Sequence, residues 1–129
     1  MVLDKYQKYA PAVLRIGIAL LLLWFGLTNI FKPQMLVGYL PQWFPSQLIA
    51  SLTFMVINGI FETILGVALL VGFLTRFAAL LATLHIAAIG ISLGYNDIAV
   101  RDIGLAIAAF SIFLYGHDTW CIEKRVRIR

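Results

Sequence analysis

The stretch Asn58–Gly66, NGIFETILG, carries one carboxylate, Glu62, in the middle of an apolar run. Glu62 is the only charged residue between Lys32 and Arg76. The run around it, about residues 47–74, is longer than the roughly 20 residues that cross a bilayer as a helix. A charged side chain at that depth is costly unless it is paired, neutralised or hydrated. The stretch therefore predicts a membrane-spanning helix and polar partners for Glu62 on neighbouring helices.

Three further apolar runs accompany residues 47–74, at about residues 11–31, 76–95 and 99–115. Each is near the length that spans a bilayer. Hydrophobic residues make up 62% of the 129-residue chain and charged residues only 12%, which excludes a water-soluble domain, whose apolar share is nearer half. We therefore expect a single integral membrane domain over residues 1–129. Its predicted fold is all-α, a transmembrane antiparallel four-helix bundle.

The segments outside the four runs are short. Residues 32–45 contain three prolines together with Tyr39, Trp43 and Phe44, a composition typical of a loop in the membrane interface. Residues 120–129 form a basic tail.

The distribution of basic residues predicts the orientation of the bundle. Four antiparallel spans place both termini on one side, which then collects eight basic residues against two on the other side. The eight are Lys5, Lys8, Arg15, Arg76, Lys124, Arg125, Arg127 and Arg129, and the two are Lys32 and Arg101. Because cytoplasmic segments carry an excess of Lys and Arg, we expect a plasma-membrane protein with both termini in the cytoplasm.

Several kinds of site are excluded by the residues present. A single cysteine, Cys121, allows neither an intrachain disulfide nor a Cys-x-x-Cys pair. The two histidines, His85 near mid-span and His117 at the cytoplasmic end, do not match in depth as two haem ligands on facing helices would. Clustered zinc or iron ligands are lacking from the sequence. The basic residues flank apolar runs, which argues against nucleic acid as a partner. We expect no intrinsic metal or cofactor.

Small residues recur at four-residue spacing in the spans. These are Gly90 with Gly94, Ala68 with Gly72, Ala79 with Thr83 and Ala87, and Gly104 with Ala108. Helices in lipid associate through close packing, which favours small residues at contacts. The pattern indicates candidate helix contacts, either within one chain or between chains.

Depth along the helices groups three polar residues. Glu62 lies 12 residues from Leu74, roughly 18 Å from the cytoplasmic end of its span, and His85 lies nine residues from Arg76, roughly 13 Å deep. Asn58 precedes Glu62 by one helical turn and shares its face. We expect Glu62, Asn58 and His85 to meet.

Four other residues are candidates for the same polar site. Trp24, seven residues before the end of the first run, falls at a level similar to Glu62. Arg101 and Asp102 enter the fourth span near the outer surface, where Arg101 can extend into the bundle or towards water. Asp102 is equally suited to complement the dipole at a helix N-terminus. Arg15, four residues into the first span, is expected to snorkel to the cytoplasmic headgroups.

Three interpretations of these polar residues stay open. In the first, they act only as interhelical hydrogen-bonding partners. In the second, they line a pocket for a polar headgroup such as a quinone or carry protons, and in the third they pair with another subunit. A buried carboxyl favours its neutral form, so Glu62 is expected to be able to donate a hydrogen bond.

Three blocks of sequence carry a family resemblance. They are RIGIALLLLWFGLTNIF from Arg15, GIFETILGVALLVGFLTRFAALLATL from Gly59, and RDIGLAIAAFSIFLYG from Arg101. Their order and polar residues resemble the DoxX family of small four-helix membrane proteins. The resemblance places Arg15, Glu62, Arg101 and Asp102 in the polar pattern of the family. The prediction that His85 and Trp24 belong to the site depends only on their depth along the spans.

The resemblance implies an integral membrane subunit or accessory protein linked to redox chemistry, similar to the membrane subunit of a thiosulfate:quinone oxidoreductase. We therefore expect a small subunit of a quinone-linked respiratory or sulfur-oxidising oxidoreductase complex, with Glu62, Asn58 and His85 binding a quinone headgroup. The alternatives are a non-catalytic scaffold or assembly subunit and, less favoured, a small-solute or proton carrier. Whether the chain is an enzyme stays undecided. The expected partners are the lipid bilayer and other membrane subunits, with homo-oligomerisation open.

Overall fold

The computed structural model describes residues 2–35, 40, 48–92 and 96–122. Within them the chain forms four α-helices, α1 (Ala10–Phe31), α2 (Leu48–Val71), α3 (Thr75–Ser92) and α4 (Asp97–Tyr115), and two short 3-10 helices, Asp4–Tyr9 and Pro33–Met35. These residues contain no β-strand. All four α-helices are long and apolar enough to cross a membrane. The predicted all-α, four-helix fold is confirmed.

Two groups of sequence-based predictions lie outside the described residues. They are the interfacial aromatic residues Tyr39, Trp43 and Phe44, and the basic residues of the tail after Ile122.

The helix ends follow local sequence signals. Asn96 caps α4, because its side chain accepts a hydrogen bond from the N–H of Ala99 at 2.9 Å. This cap starts α4 at Asp97, two residues before the predicted start. α2 ends at Val71, earlier than the predicted residue 74, because Gly72 adopts a left-handed backbone with φ +78°.

Glycines bring α1 and α2 into close contact. A Cβ atom added to Gly59 would lie 2.6 Å from the carbonyl oxygen of Gly26, and one added to Gly66 would lie 2.8 Å from Leu23 Cγ. Only glycine leaves room for two backbones this close, and close backbones maximise van der Waals contact between helices in lipid. The four-residue spacing of small residues did not predict this contact, because Gly59 and Gly66 are two turns apart on one face.

α3 and α4 pack through small residues of a different kind. Their buried alanines are Ala78, Ala79 and Ala82 on α3, and Ala99, Ala106 and Ala109 on α4. Gly90 adds a close approach, since a Cβ atom there would lie 3.4 Å from Asp102 Cβ. Gly104, in contrast, has no atom within 4 Å of an added Cβ, so its predicted contact is not found within the described chain. Gly94 lies outside the described residues.

The bundle consists of two antiparallel hairpins, α1–α2 and α3–α4, which pack more extensively within themselves than against each other. A shared core joins them, formed by Ile18, Leu22, Leu65, Leu69, Ile86 and Ile112. The thinner contacts between the hairpins are called here the α2–α3 seam and the α1–α4 seam.

Both ends of the described chain lie at the same end of the bundle. The ring of Tyr9, just before α1, stacks on the ring of Trp120, just after α4, with centroids 5.1 Å apart. We call this the terminal end. Each helix also exposes large apolar side chains on its outer face, such as Leu20, Ile57, Leu84 and Ile107. Outward-facing apolar side chains are what a lipid environment requires.

Candidate functional site

One buried carboxylate, Glu62 in the middle of α2, collects partners from three helices. Its Oε1 accepts a hydrogen bond from Asn58 Nδ2 at 3.1 Å and lies 3.0 Å from His85 Nε2 on α3. Its Oε2 accepts a hydrogen bond from Asn29 Nδ2 on α1 at 3.2 Å. We call these four residues the Glu62 centre.

The structure brings Glu62, Asn58 and His85 together, as the depth argument and the one-turn spacing on α2 predicted. Asn29 was missed, because it is uncharged and lies near the end of the first apolar run. The close α1–α2 contact brings Asn29 next to α2, since a Cβ atom on Gly59 would lie 2.7 Å from Asn29 Cβ. Its position three residues after Gly26, on the glycine face of α1, was the available signal.

His85 lies nearer the surface of the bundle than Glu62. Its side chain is 15% exposed, whereas that of Glu62 is 6% exposed. The ring of Phe61, on the outer side of α2, lies 5.0 Å from the His85 ring between centroids. Asn29 Oδ1 is buried and has no hydrogen-bond partner among the described residues. A carboxylate–imidazole pair can hydrogen-bond a polar group and hold or pass a proton.

A second buried polar centre lies at the terminal end of the bundle. Arg15 Nε donates a hydrogen bond to Asp118 Oδ2 at 2.6 Å, and Arg15 Nη2 donates to Asp118 Oδ1 at 3.2 Å. The two side chains are 1% and 2% exposed. We call this pair the Arg15 centre. The predicted snorkelling of Arg15 is wrong, because its partners are inside the protein.

Arg15 also stabilises the end of α2. Its Nη1 donates to the carbonyl oxygens of Leu69 and Leu70, the latter at 2.9 Å. Carbonyls in the last turn of a helix have no partner within that helix. A cation beside them also complements the negative end of the helix dipole. Arg15 therefore caps α2 from the neighbouring helix.

Asp118 reaches Arg15 because the chain turns back after α4. Gly116 makes the turn with φ +85°, a left-handed conformation that favours glycine. The following segment then packs over the terminal end, where a Cβ atom on Gly72 would lie 2.6 Å from Cys121 Cα. Asp118 was not among the predicted site residues, because it follows the last apolar run. A glycine directly after Tyr115 was the signal that the chain reverses there.

The electrostatics of the Arg15 centre favour an ionised Asp118. Burial raises the pKa of this carboxyl. The hydrogen bonds and charge of Arg15, together with the hydrogen bond from the Trp120 N–H, lower the pKa by a larger amount. The net result is a pKa below the ordinary value of 3.8. Trp120 N–H donates to Asp118 Oδ1 at 2.9 Å. The Arg15 centre is thus an ion pair whose acid is held in its charged form.

A family model described as DoxX matches residues 10–94 of the chain, the part that contains α1, α2 and α3. The chain belongs to the DoxX family. With four helices apolar enough to span a membrane, it is a small multi-pass membrane protein. Comparison with curated proteins and comparison with solved structures each found no match.

The DoxX match covers the two polar centres unequally. All four residues of the Glu62 centre lie inside the matched range, and so does Arg15. Asp118 follows that range, as do Arg101 and Asp102. The match therefore includes the complete Glu62 centre but only one half of the Arg15 ion pair.

Arg101 and Asp102 form a separate pair in this DoxX-family protein. Arg101 Nη2 donates to Asp102 Oδ1 at 3.2 Å, and its guanidinium lies 5.7 Å from the ring centroid of Phe25 on α1. Asp102 is buried beside Gly90, whereas the Arg101 side chain is 52% exposed. Neither has a hydrogen bond to the Glu62 centre among those that the structure describes. The predicted grouping of this pair with Glu62 is not found.

Trp24 lies on the outside of α1 and is 57% exposed, so its predicted place beside Glu62 is wrong. Depth along a helix does not determine the direction in which a side chain points around the helix axis. Trp24 and Asn29 are five residues apart, which places them roughly 140° apart around the helix. Asn29 faces Glu62, and Trp24 therefore faces away.

Proposed function

We propose that this DoxX-family protein is a small accessory subunit of a quinone-linked oxidoreductase in the membrane, and that the Glu62 centre binds the quinone headgroup. The observation that carries the proposal is the arrangement of His85 and Glu62. A hydrogen-bonded imidazole and carboxylate lie deep in the bundle, and the imidazole is the partner nearer the surface. Ligand sites in proteins combine apolar walls with a few convergent polar groups of this kind.

The α2–α3 seam supports entry from the lipid. The two hairpins pack less extensively against each other than within themselves, and His85 bridges α2 and α3 at this thinner contact. Phe61 lies on the outer side of the same contact and flanks the imidazole. A quinone dissolved in the hydrocarbon would meet Phe61 first, where ring stacking favours a flat headgroup. Its oxygen would then come within reach of His85.

In this proposal, electron transfer to or from the quinone is carried out by a partner subunit. The chain has one cysteine, so a dithiol–disulfide step cannot occur within it. The DoxX resemblance suggests a respiratory or sulfur-oxidising complex as the setting. In this proposal the present chain binds and positions the quinone, while its partner supplies or accepts the electrons.

The proposed location is the plasma membrane, with the terminal end in the cytoplasm. Tyr9 stacks on Trp120 at that end, and Lys5, Lys8 and Arg76 are exposed near it. An excess of basic residues favours the cytoplasmic side. A cysteine introduced at Lys32, in a Cys121→Ser chain, should react with a membrane-impermeant maleimide from outside intact cells, and one at Lys8 should not. The reverse pattern would refute this orientation.

Retention of quinone tests the binding proposal. The protein is purified in mild detergent, supplied with decylubiquinone in both redox forms, washed, and extracted for chromatography of the bound quinone. We expect wild type and His117→Gln to retain it and His85→Gln to retain several-fold less, since His117 lies at the terminal end. Equal retention by the two histidine variants, or none by wild type, would overturn the proposal.

A scaffold function is the second candidate, and one observation favours it. Glu62 takes hydrogen bonds from α1 and α2 and contacts His85 of α3, so the same atoms hold three helices together. In lipid such bonds contribute about 0.6 kcal/mol on average to helix association. A scaffold would lose partner copurification, without any change in quinone retention, when Glu62→Gln is introduced.

A further inference from the structure

The amide donors around Glu62 indicate its charge state. Asn58 Nδ2 and Asn29 Nδ2 each direct an N–H group at a different oxygen of Glu62. Hydrogen bonds donated to a carboxyl favour its ionised form, which reverses the neutral, donating Glu62 expected from burial alone. An ionised carboxylate has no proton to give and only accepts. The contact between His85 Nε2 and Glu62 Oε1, at 3.0 Å, is then a bond donated by the Nε2–H of the imidazole.

When a neutral imidazole carries its proton on Nε2, the other nitrogen, Nδ1, is not protonated. Nδ1 then carries a lone pair and acts as an acceptor. The bond to Glu62 is the one hydrogen bond of His85 within the described residues, so Nδ1 has no partner there. Carboxylates set the tautomer of histidines in metal sites and catalytic triads in the same way. Glu62 therefore acts as a positioning residue for His85.

We propose that the Glu62 centre selects the reduced, hydroxyl-bearing form of its ligand, a hydroquinone or a related phenol, whose O–H donates to His85 Nδ1. This inference rests on the proposed quinone site and specifies which redox form that site prefers. A quinone carbonyl is only an acceptor, so its oxygen would face the lone pair of Nδ1 without a hydrogen between them. A hydroquinone supplies that hydrogen at the same position.

A doubly protonated His85 would remove this selectivity. An imidazolium presents N–H groups on both nitrogens, so Nδ1–H would donate to a quinone carbonyl as well as to a hydroquinone oxygen. The groups that contact the pair from α1 and α2 are the neutral amides Asn29 and Asn58 and the ring of Phe61. None of these adds a charge beside the imidazole. The preferred redox form of the ligand thus reports the protonation of His85.

The test compares three probes of one shape under anaerobic conditions. They are decylubiquinone, its two-electron-reduced hydroquinone, and the bis-O-methyl ether of that hydroquinone, which lacks the O–H donor. Their affinities are measured by competition on the purified chain in nanodiscs. We expect wild type to bind the hydroquinone about tenfold more tightly than either other probe, the typical effect of one hydrogen bond. Equal affinities, or tighter binding of the quinone, would overturn the inference while leaving the proposed function standing. Failure of all three probes to bind would overturn the proposed function itself.

Two variants and one spectrum make the test specific. In His85→Gln the amide offers both a donor and an acceptor. The ratio of the affinities for hydroquinone and quinone should therefore fall to about one. His117→Gln should keep the full preference. The same His117→Gln chain contains a single histidine, so ¹⁵N NMR of labelled protein reads His85 alone. We expect a protonated Nε2 and a non-protonated Nδ1, and protons on both nitrogens would refute the tautomer on which the selection depends.

Discussion

The Arg15 centre and the Glu62 centre each bury a carboxylate, but they differ in the atoms left without partners. Asp118 receives two hydrogen bonds from Arg15 and one from the Trp120 N–H, and Arg15 directs its remaining contacts at α2 carbonyls. Glu62 is surrounded by neutral amides and an imidazole. Among the described residues, His85 Nδ1 has no partner and neither does Asn29 Oδ1.

This difference suggests a division of roles between the terminal end and the middle of one bundle. A saturated ion pair has no group left to offer a ligand, and it joins the start of α1, the end of α2 and the segment after α4. A centre with free polar atoms leaves part of its hydrogen-bonding capacity unused, which is unfavourable for stability alone. We therefore assign stability chiefly to the Arg15 centre and keep ligand binding at the Glu62 centre as the proposal to be tested.

The largest expected effect is the loss of the Arg15 charge. Arg15→Met should lower the free energy of unfolding by about 3–5 kcal/mol, because Asp118 would stay buried without its counter-charge. Unfolding in detergent, followed by circular dichroism, measures the change. Lys8→Met, at an exposed site, is the control and should shift stability by no more than about 0.5 kcal/mol. Similar losses in the two variants would remove the structural role assigned to the ion pair.

The same chemical change in both centres sharpens the comparison. Asp118→Asn should cost about 2–4 kcal/mol of unfolding free energy, because it leaves the Arg15 charge buried without a counter-charge. Glu62→Gln should cost only about 1 kcal/mol, because its partners are neutral and an amide can still bond to them. Quinone retention should follow the opposite order, with the larger loss in Glu62→Gln. Equal effects on both properties would contradict the division of roles.

The α1–α2 contact offers a way to disturb the Glu62 centre from outside it. Gly59→Ala should destabilise the fold by about 1–3 kcal/mol through overpacking, since the new Cβ would meet the Gly26 carbonyl. It should also move Asn29 away from Glu62 and weaken quinone retention. Gly17→Ala is the matched control, because an added Cβ there has no atom within 4 Å. A Gly59→Ala chain as stable as the control would show that the helices can separate freely.

The smallest expected effect is the acid dependence of the Arg15 centre. The pKa of Asp118 is lowered in the folded protein, so the unfolded chain binds a proton more readily than the folded one. The stabilisation is complete above the unfolded pKa of about 3.9 and is lost as pH falls through the lowered folded value. The stability difference between wild type and Asp118→Asn should therefore shrink below about pH 4. A difference that is the same at pH 3 and pH 7 would contradict an ionised Asp118.

The positions of the helices could be predicted from the sequence because the signals involved are local. Hydrophobic length alone predicts a span, and each of the four runs contains a helix in the structure. The DoxX resemblance is likewise confirmed by the family match. The ends were less accurate where a single residue decides them, as the Asn96 cap did for α4 and Gly72 did for α2.

Contacts among the candidate site residues were predicted correctly only where two residues share a helix or a depth. Asn58 and Glu62 are one turn apart, and His85 has a comparable depth, so these three were found. Trp24 shared the depth but lies on the wrong face of its helix. Asn29 was missed because an uncharged amide gives little signal in an apolar run.

By itself, the sequence determined that this chain is a membrane protein of four helices, with an acid in the second helix that needs polar neighbours. These properties depend on composition and on distance along one helix, which the order of residues encodes directly. Only the tertiary structure decided which neighbours Glu62 has and that Arg15 pairs with Asp118. Those pairings depend on how each helix is rotated and on a left-handed turn at Gly116. Rotation is set by glycine contacts between two helices, so it arises only when both helices are in place.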